Sequence, residues 1–411
     1  MATGRDRFTH TVDFPVYCMQ FTGEGRLLVG GGGGGGQNGV KNKLALYDID
    51  LSERALAEAA ALTLNPNEDA PMCMSLHVES NVVACGVNAS EEAIKEGKNN
   101  NCRIFELEEG EETCTITPGA TAETESSNDT DNYLKTIRIS KDGKHVVCGS
   151  SGGQLSIFKY PSMELAYPAK SCSKDIDDLD LDPDCDKVAA AEMVCDNELS
   201  VWSLSSGKQL ETLDSPIING KLKCRFRACC FGRGESIGSL FVAINSEDRK
   251  HALLCKLHAI SYRKQQQESI GRSPVTSLCI SNEGRWLAFA TADLSVGIVC
   301  AQKLDVVRLF EQVHTFAITT LAFSPDSRLL ASGSAAATCH IVQLPAQMKR
   351  RANKDPLWII LAMLCLIVYL VVLQPALLEG LTGVLSRLSP TASPLAAGPA
   401  SADGTSAKDE L

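Results

Sequence analysis

Hydrophobic and polar positions follow one repeated pattern along most of the first 345 residues. Each copy contains an alternating strand, a polar turn, a strand rich in small apolar residues, a second turn and a third apolar strand. An alternation with a period of two residues predicts β-strands that bury one face. The clear copies span 134–160, 176–204, 275–299 and 318–344, and weaker copies span 16–31, 74–87 and 227–244. The pattern therefore predicts seven similar units.

The turns of these units recur at a nearly constant interval. Ser140 and Asp182 begin equivalent turns 42 residues apart, and Ser281 and Ser324 begin equivalent turns 43 residues apart. A period of about 40–45 residues, with three or four short strands in each unit, is typical of WD-type propellers. We therefore predict an all-β fold in which residues 1–348 form a seven-bladed WD-type β-propeller with degenerate repeats.

Two segments of the repeat region do not follow the pattern. Phe14-Pro15-Val16-Tyr17 is an early strand that either joins the last blade or opens the first, and either arrangement would close the ring. The acidic segment 107–132 has no apolar periodicity, so it is predicted to be a solvated loop between blades, with the docking of a partner as the alternative.

A strongly apolar segment follows the repeats. The 22 residues 357–378 carry no charge and would span about 33 Å as a helix, close to the thickness of a bilayer. They predict one transmembrane helix. The basic juxtamembrane segment 349–356 precedes it and contains Lys349, Arg350, Arg351 and Lys354. Basic residues favour the cytosolic side, so the propeller is expected in the cytosol and the C-terminus in the lumen.

The last segment, residues 379–411, is rich in Pro, Ser and Ala and is predicted to be a disordered lumenal tail. It ends in Lys408, Asp409, Glu410 and Leu411, the retrieval signal read by a lumenal receptor. We expect a single-pass protein of the endoplasmic reticulum membrane. In this topology the sequons at Asn88 and Asn128 would be cytosolic and unmodified.

Composition narrows the function classes. Lys and Arg total 39 against 50 Asp and Glu, a formal charge of −11 that argues against nucleic-acid binding. The 17 cysteines are irregularly spaced and no secretory signal peptide precedes them, so they predict free thiols in a reducing compartment. No motif of a hydrolase, kinase or zinc site is present and the seven histidines are scattered. We predict no catalytic residue and no enzymatic bond chemistry.

A run of seven glycines, Gly30–Gly36, lies between two predicted strands of the first blade and is followed by Gln37, Asn38, Gly39, Val40, Lys41 and Asn42. A phosphate-binding loop is disfavoured because no Gly-Lys-Ser/Thr sequence and no helix follow the run. A low-complexity insertion without function and a functional loop both remain possible. The apolar Val40 at the tip of a polar loop favours insertion into a partner, and closely spaced carbonyls in such a loop could coordinate potassium.

These features together resemble one known family. A cytosolic seven-bladed propeller, a C-terminal transmembrane helix, a lumenal tail and a glycine-rich loop in the first blade are similar to the prolactin regulatory element-binding protein family. Its members are guanine nucleotide exchange factors of the endoplasmic reticulum membrane that act on the Sar-type small GTPase and start COPII coat assembly. The resemblance covers residues 14–375, and the glycine run with Asn38–Asn42 is its most specific part.

The resemblance implies specific roles for the loop. Asn38, Gly39, Val40, Lys41 and Asn42 would contact the GTPase, with Val40 as the apolar contact. Gly39, Val40 and Asn42 would hold a potassium ion, mainly through backbone oxygens. Such a factor accelerates the release of GDP, and its partners would be the GTPase, the membrane and the retrieval receptor. The alternative is a propeller scaffold tethered to the endoplasmic reticulum without exchange activity, since propellers commonly serve as interaction platforms.

Overall fold

A computed structural model of the chain describes residues 6–36, 39–110, 113–124, 128–171, 175–192, 198–218 and 221–345. The chain divides into two units, Met1–Arg351 and Ala352–Leu411, and every described residue belongs to the first. The predicted basic segment, transmembrane helix, lumenal tail and retrieval signal lie outside the described residues. Across the described ranges, no helix is both long and apolar enough to cross a bilayer.

The described residues form seven antiparallel sheets. Blades one to three contain these strands: β2 (Val16–Phe21), β3 (Leu27–Gly31), β4 (Lys43–Asp50) and β5 (Ala55–Thr63); β6 (Cys73–His77), β7 (Val82–Gly86), β8 (Cys102–Glu109) and β9 (Cys114–Ala122); β10 (Leu134–Ile139), β11 (His145–Ser150), β12 (Gln154–Lys159), β13 (Glu164–Leu165) and β14 (Lys170–Ser171). A short helix, α1 (Glu91–Lys95), lies between β7 and β8.

The remaining blades repeat this order. Their strands are β15 (Ile176–Leu181), β16 (Lys187–Glu192), β17 (Glu198–Ser203) and β18 (Gln209–Asp214); β19 (Ile217–Ile218), β20 (Leu222–Phe231), β21 (Ser239–Ser246), β22 (Ala252–His258) and β23 (Lys264–Gly271); β24 (Val275–Ile280), β25 (Trp286–Thr291), β26 (Val296–Cys300) and β27 (Val306–Phe310); β28 (Ile318–Phe323), β29 (Leu329–Ser334) and β30 (Thr338–Gln343). A single 3-10 turn, Gly234–Ser236, precedes β21.

The seven sheets form a closed ring. The innermost strand of each blade contacts the innermost strand of the next, and β28 of the last blade contacts β2 of the first. The predicted seven-bladed propeller is therefore confirmed. The outermost strand of blade seven is β1 (Arg7–Thr11), which pairs with β30 and places Phe8 opposite Ile341. The first and last described strands of the propeller thus pair in one sheet, so the ring is closed without an open edge between the first and last blades.

The closing strand differs in part from the sequence prediction. Val16 and Tyr17 belong to the first strand of blade one, which agrees with the alternative in which this segment opens the first blade. The strand that joins the last blade is Arg7–Thr11, which was not predicted. Its side chains alternate between exposed and half-buried, so this outer strand lacks the apolar face by which strands are recognised in a sequence.

A repeated turn explains the regular spacing of the units. In five blades, the carbonyl of the residue that starts the turn between the first two strands accepts a hydrogen bond from the N–H of the residue three positions later. That later residue has a positive φ angle. The side-chain oxygen of the starting residue also accepts from a backbone N–H at the next strand, as Ser324 does from Leu329 at 2.9 Å. The starting residues are Thr22, Ser140, Asp182, Ser281 and Ser324. A Ser, Thr or Asp that closes a turn in this way fixes its register.

The solvated loop predicted for residues 107–132 is wrong over much of its length. Cys114–Ala122 forms β9, the outer strand of blade two, and pairs with β8 from Cys102 to Glu109. Most of its side chains are exposed because the strand lies at the rim of the propeller. A rim strand needs only backbone hydrogen bonds from its neighbour, so it can form without an apolar pattern.

The hydrophobic core lies between the blades. Buried side chains from neighbouring sheets form seven clusters, and the first joins the last blade to blade one through Phe14, Met19 and Ile341. Fourteen cysteines occur among the described residues and all are free thiols, in agreement with the sequence prediction. Burial raises the pKa of thiols such as Cys18 and Cys85, so these residues serve as small apolar core groups.

Candidate functional site: the glycine-rich loop of blade one

The glycine-rich loop, residues 32–42, connects the second and third strands of blade one. In a four-stranded meander this connection lies on the same face of the ring as the segments that join one blade to the next. We call this face the loop face. It also carries the connection 64–72, the insertion 87–101 and the connection 123–133. The first two glycines of the run, Gly30 and Gly31, belong to β3.

The packing of the run requires glycine at its beginning but not at its end. A Cβ atom on Gly31 would lie 1.9 Å from the carbonyl oxygen of Pro15. Gly32 has a φ angle of 147°, and a Cβ atom there would lie 2.3 Å from Oδ1 of Asn42. At Gly36 and Gly39 a Cβ atom would meet nothing within 4 Å. The first half of the run is therefore a packing requirement, which argues against a low-complexity insertion without structure.

Asn42 is the anchor of the loop. Its side chain is buried, with 1% of the residue exposed. Oδ1 accepts a hydrogen bond from the N–H of Gly34 at 2.9 Å, and Nδ2 donates to the carbonyl of Glu68 at 2.8 Å. The backbone carbonyl of Asn42 accepts from the N–H of Leu64 at 2.8 Å. One amide thus joins the two ends of the loop and attaches them to the connection between blades one and two.

The other loop residues differ in their surroundings. Gly39 and Lys41 are exposed, and Asn38 lies outside the described residues. Val40 is half-buried and packs against the hydrophobic cluster between the last blade and blade one. Packing within the propeller therefore accounts for part of the apolar surface of Val40, on which the sequence argument for insertion into a partner rested. Only the part of Val40 that remains exposed is available to a partner in this conformation.

The predicted potassium ligands can be compared with this geometry. Oδ1 of Asn42 faces the glycine backbone and uses one of its two lone pairs for Gly34. The exposed Gly39 and the half-buried Val40 contribute carbonyls to the same segment. Neutral oxygens in a glycine-rich turn suit a weakly hydrated monovalent cation, so the residues are compatible with such an ion. In the part of the chain that the structure describes, no cluster of three or more His, Cys, Asp and Glu side chains could hold a metal.

A second contact attaches the loop to blade two. The carboxylate of Asp69 accepts hydrogen bonds from the backbone of Gly35 and from the side chain of Asn88. Burial raises the pKa of Asp69, and these hydrogen bonds partly oppose that shift. Glu68, the neighbouring residue, forms an ion pair with Arg103 of β8 in which Nη1 lies 2.6 Å from Oε2. The sequence had identified none of these four side chains as part of the site.

Buried asparagines continue this network through blade two. Asn88 donates to the carbonyl of Asn132 at 2.7 Å and accepts from Nδ2 of Asn99 at 3.3 Å. Asn101 accepts from the hydroxyl of Thr124 at 2.9 Å. Asn88, Asn99 and Asn101 are each 5% exposed or less. Asn88, the asparagine of one sequon, is thus a buried structural residue of the folded propeller.

A charged ring lines the central channel, which encloses a cavity of about 890 Å³. Asp178 and Asp180 of β15 accept hydrogen bonds from the backbone N–H groups of Cys229 and Phe231 in blade five. Arg138 of blade three lies 3.1 Å from Asp178 and 3.6 Å from Asp180. Burial raises the pKa of Asp178 to about 6 although Arg138 opposes the shift. These contacts join three blades, which is a structural role that the sequence had not indicated.

The fold and the loop define a class of protein. The described residues form a closed seven-bladed propeller that carries a glycine-rich loop on one face, and a family model for the WD domain, G-beta repeat, matches residues 306–342. The chain is a WD-type β-propeller protein.

Similar proteins identify a narrower group. The guanine nucleotide-exchange factor SEC12 of Candida glabrata is 26% identical over 350 residues, which cover 82% of this chain and 72% of that protein. The guanine nucleotide-exchange factor SEC12 of the mouse is 23% identical over 412 residues, covering 88% and 96%. The SEC12-like protein 2 of Arabidopsis thaliana is 21% identical over 310 residues, covering 72% and 71%. Over more than two thirds of its length the chain is similar to these proteins named SEC12. The resemblance inferred from the sequence is confirmed.

Proposed function

We propose that this chain is a guanine nucleotide exchange factor that accelerates the release of GDP from a Sar-type small GTPase and so starts COPII coat assembly. The observation that carries the proposal is the anchored glycine-rich loop on a propeller homologous to proteins named as exchange factors.

In the proposed mechanism the loop acts by differential binding. An exchange factor accelerates the release of GDP when it binds the nucleotide-free GTPase more tightly than the GDP-bound form. The base of the loop, held by Asn42, would keep the tip at one position on the propeller. The exposed Gly39, Lys41 and the accessible part of Val40 would then enter the GTPase near its nucleotide. Cellular GTP would refill the vacated site.

The potassium ion is part of the proposal. Gly39, Val40 and Asn42 would hold it, mainly through backbone oxygens. When bound, the ion would add a positive charge at the loop and restrict its conformations. The loop face also exposes several carboxylates, among them Glu91, Glu92, Glu96, Asp129 and Asp131.

The place of action is proposed from the C-terminal sequence. Residues 357–378 would anchor the propeller to the endoplasmic reticulum membrane, and the tail ending in Lys408-Asp409-Glu410-Leu411 would be bound by the retrieval receptor. Confinement to one membrane would restrict activation of the GTPase to that surface. The scaffold without exchange activity predicts the same location, so location does not distinguish the two functions.

Exchange kinetics separate these two functions. Full-length protein in detergent micelles is mixed with a Sar-type GTPase loaded with fluorescent GDP, in potassium buffer, and the release of GDP is followed. We expect a large acceleration by the wild type and none with a small GTPase of another family. No acceleration by folded protein would contradict the proposal and leave the scaffold.

Two loop variants test the working residues. Lys41→Glu changes an exposed side chain and should slow exchange while leaving thermal unfolding unchanged. Val40→Asp should abolish the acceleration. Because Val40 also packs against the core, this variant requires a parallel unfolding measurement. Normal exchange by both variants would exclude the loop as the GTPase contact.

A further inference from the structure

The position of the loop depends on an ion pair outside the loop. Asn42 donates to the carbonyl of Glu68, and the side chain of Glu68 pairs with Arg103 at 2.6 Å. Glu68 lies in the connection between blades one and two, where a backbone hydrogen bond to Asn65 at 3.2 Å forms a turn. No strand ladder holds this connection, so the Glu68 carbonyl is oriented from two sides: the N–H of Asp69, in the same peptide group, donates to the carbonyl of Asn88 at 3.1 Å, and the side chain of Glu68 pairs with Arg103.

The ion pair is well placed to hold that carbonyl. The side chains of Glu68 and Arg103 are only 18% and 17% exposed, so water screens the pair less than it screens a surface pair. Arg103 also donates from Nε to the carbonyl of Asn100 at 3.3 Å. Its backbone is paired within blade two, opposite Cys85 of β7. The guanidinium therefore connects a rigid sheet to the turn that holds the loop anchor.

We propose that Arg103 is a positioning residue for nucleotide exchange, acting through Glu68 and Asn42 on the glycine-rich loop. Its described side-chain hydrogen bonds are to Glu68 and Asn100, and not to Gly39, Val40 or Asn42. The inference rests on the proposed exchange function. Loss of the guanidinium frees the turn, and the loop then presents its tip in several positions instead of one. Small displacements of a positioned group carry large kinetic costs.

The test compares Arg103→Gln with a matched control. Arg285→Gln removes another ion pair of the same length, 2.6 Å from Glu235, in a turn on the opposite face. Both proteins are full length in detergent micelles. Exchange is measured with the factor in excess over a Sar-type GTPase, across a series of factor concentrations. A smaller folded fraction then shifts the half-saturating concentration, whereas a misplaced loop lowers the maximal rate.

We expect Arg103→Gln to lower the maximal rate about tenfold, within the range observed for residues that modulate a distant site. Arg285→Gln should leave it unchanged. Glu68→Gln should have the effect of Arg103→Gln, and the double variant should lose no more than either single variant, because all three break one interaction. Equal effects of the two arginine variants, an unchanged maximal rate or additive losses would each overturn the inference.

Hydrogen exchange of the free protein supplies a readout that needs no GTPase. Peptides covering residues 27–44 should exchange faster in Arg103→Gln than in the wild type, and at the wild-type rate in Arg285→Gln. Unaltered protection of these peptides in Arg103→Gln would contradict the inference. If the wild type fails to accelerate GDP release, the proposed function fails, and the peptide protection still decides whether Arg103 positions the loop.

Discussion

Replacing Asn42 by alanine removes the amide that holds the glycine-rich loop in place. The side chain is 1% exposed and makes two hydrogen bonds, 2.9 Å from Gly34 and 2.8 Å to Glu68. A typical intramolecular hydrogen bond contributes about 1 kcal/mol, and a buried group left without a partner costs about 1–3 kcal/mol. Both backbone partners are half-buried, so water can replace part of the loss. We expect a destabilisation of about 2–4 kcal/mol.

Unfolding in urea measures this loss, with intrinsic fluorescence from Trp202 and Trp286 as the signal. A matched control is Asn245→Ala. Asn245 also makes two side-chain hydrogen bonds to backbone, at 2.9 and 2.8 Å, both to Val275 between blades five and six. The control should show a comparable loss of stability but unchanged hydrogen exchange in residues 27–44. A loss below about 0.5 kcal/mol for Asn42→Ala, or equal deprotection of the loop by both variants, would refute the anchoring role.

Three further predictions concern stability. Gly32→Ala should destabilise the protein by about 3 kcal/mol, because its Cβ would lie 2.3 Å from the anchoring amide oxygen at a positive φ angle, whereas Gly36→Ala should be nearly neutral in the same unfolding assay. Burial lowers the pKa of His314 and His340 to about 4, so each ring is neutral in the folded state and protonates on unfolding below about pH 6.5. Protonation of each histidine in the unfolded state should lower the free energy of unfolding by up to about 3 kcal/mol as pH falls from 7 to 4. His340→Gln should weaken this pH dependence. The pH dependence due to Asp178 has the opposite sign: its pKa is raised to about 6, so the wild type loses stability as pH rises from 4 to 7. Asp178→Asn lacks this loss and should gain about 3 kcal/mol relative to the wild type over the same range.

The propeller could be predicted because its signal is local and repeated. A turn that starts with Ser140 or Ser324 uses that side chain to accept hydrogen bonds within the same few residues, so the requirement appears directly in the sequence. The outer strands were the failures. Arg7–Thr11 and Cys114–Ala122 lie at the rim, where neither strand has a continuous buried apolar face and backbone pairing defines the strand.

The candidate site could be located but not understood from the sequence. The glycine run identified the loop because seven consecutive glycines have no ordinary role in a strand repeat. The contacts that position it are distant in sequence: Asn42 meets Glu68 across 26 residues, and Glu68 meets Arg103 across 35. No local pattern predicts such pairs. The buried Asn88, Asn99 and Asn101 offered a weak signal, since three asparagines in a short insertion are more than a solvated connection needs.

The structure divides the glycine-rich loop into a fixed base and a less constrained tip. Ordering one residue costs about 1–2 kcal/mol of backbone entropy, and glycine loses more than other residues. A loop free along its whole length would therefore weaken every complex by the cost of ordering it. In this chain the contacts of Gly32, Gly34 and Asn42 order the base of the loop in the free protein, so binding a partner does not have to order it. At Gly36 and Gly39, by contrast, an added Cβ atom would meet nothing within 4 Å. A fixed base suits the proposed differential binding, because any adjustment on binding would then be confined to the residues that contact the partner.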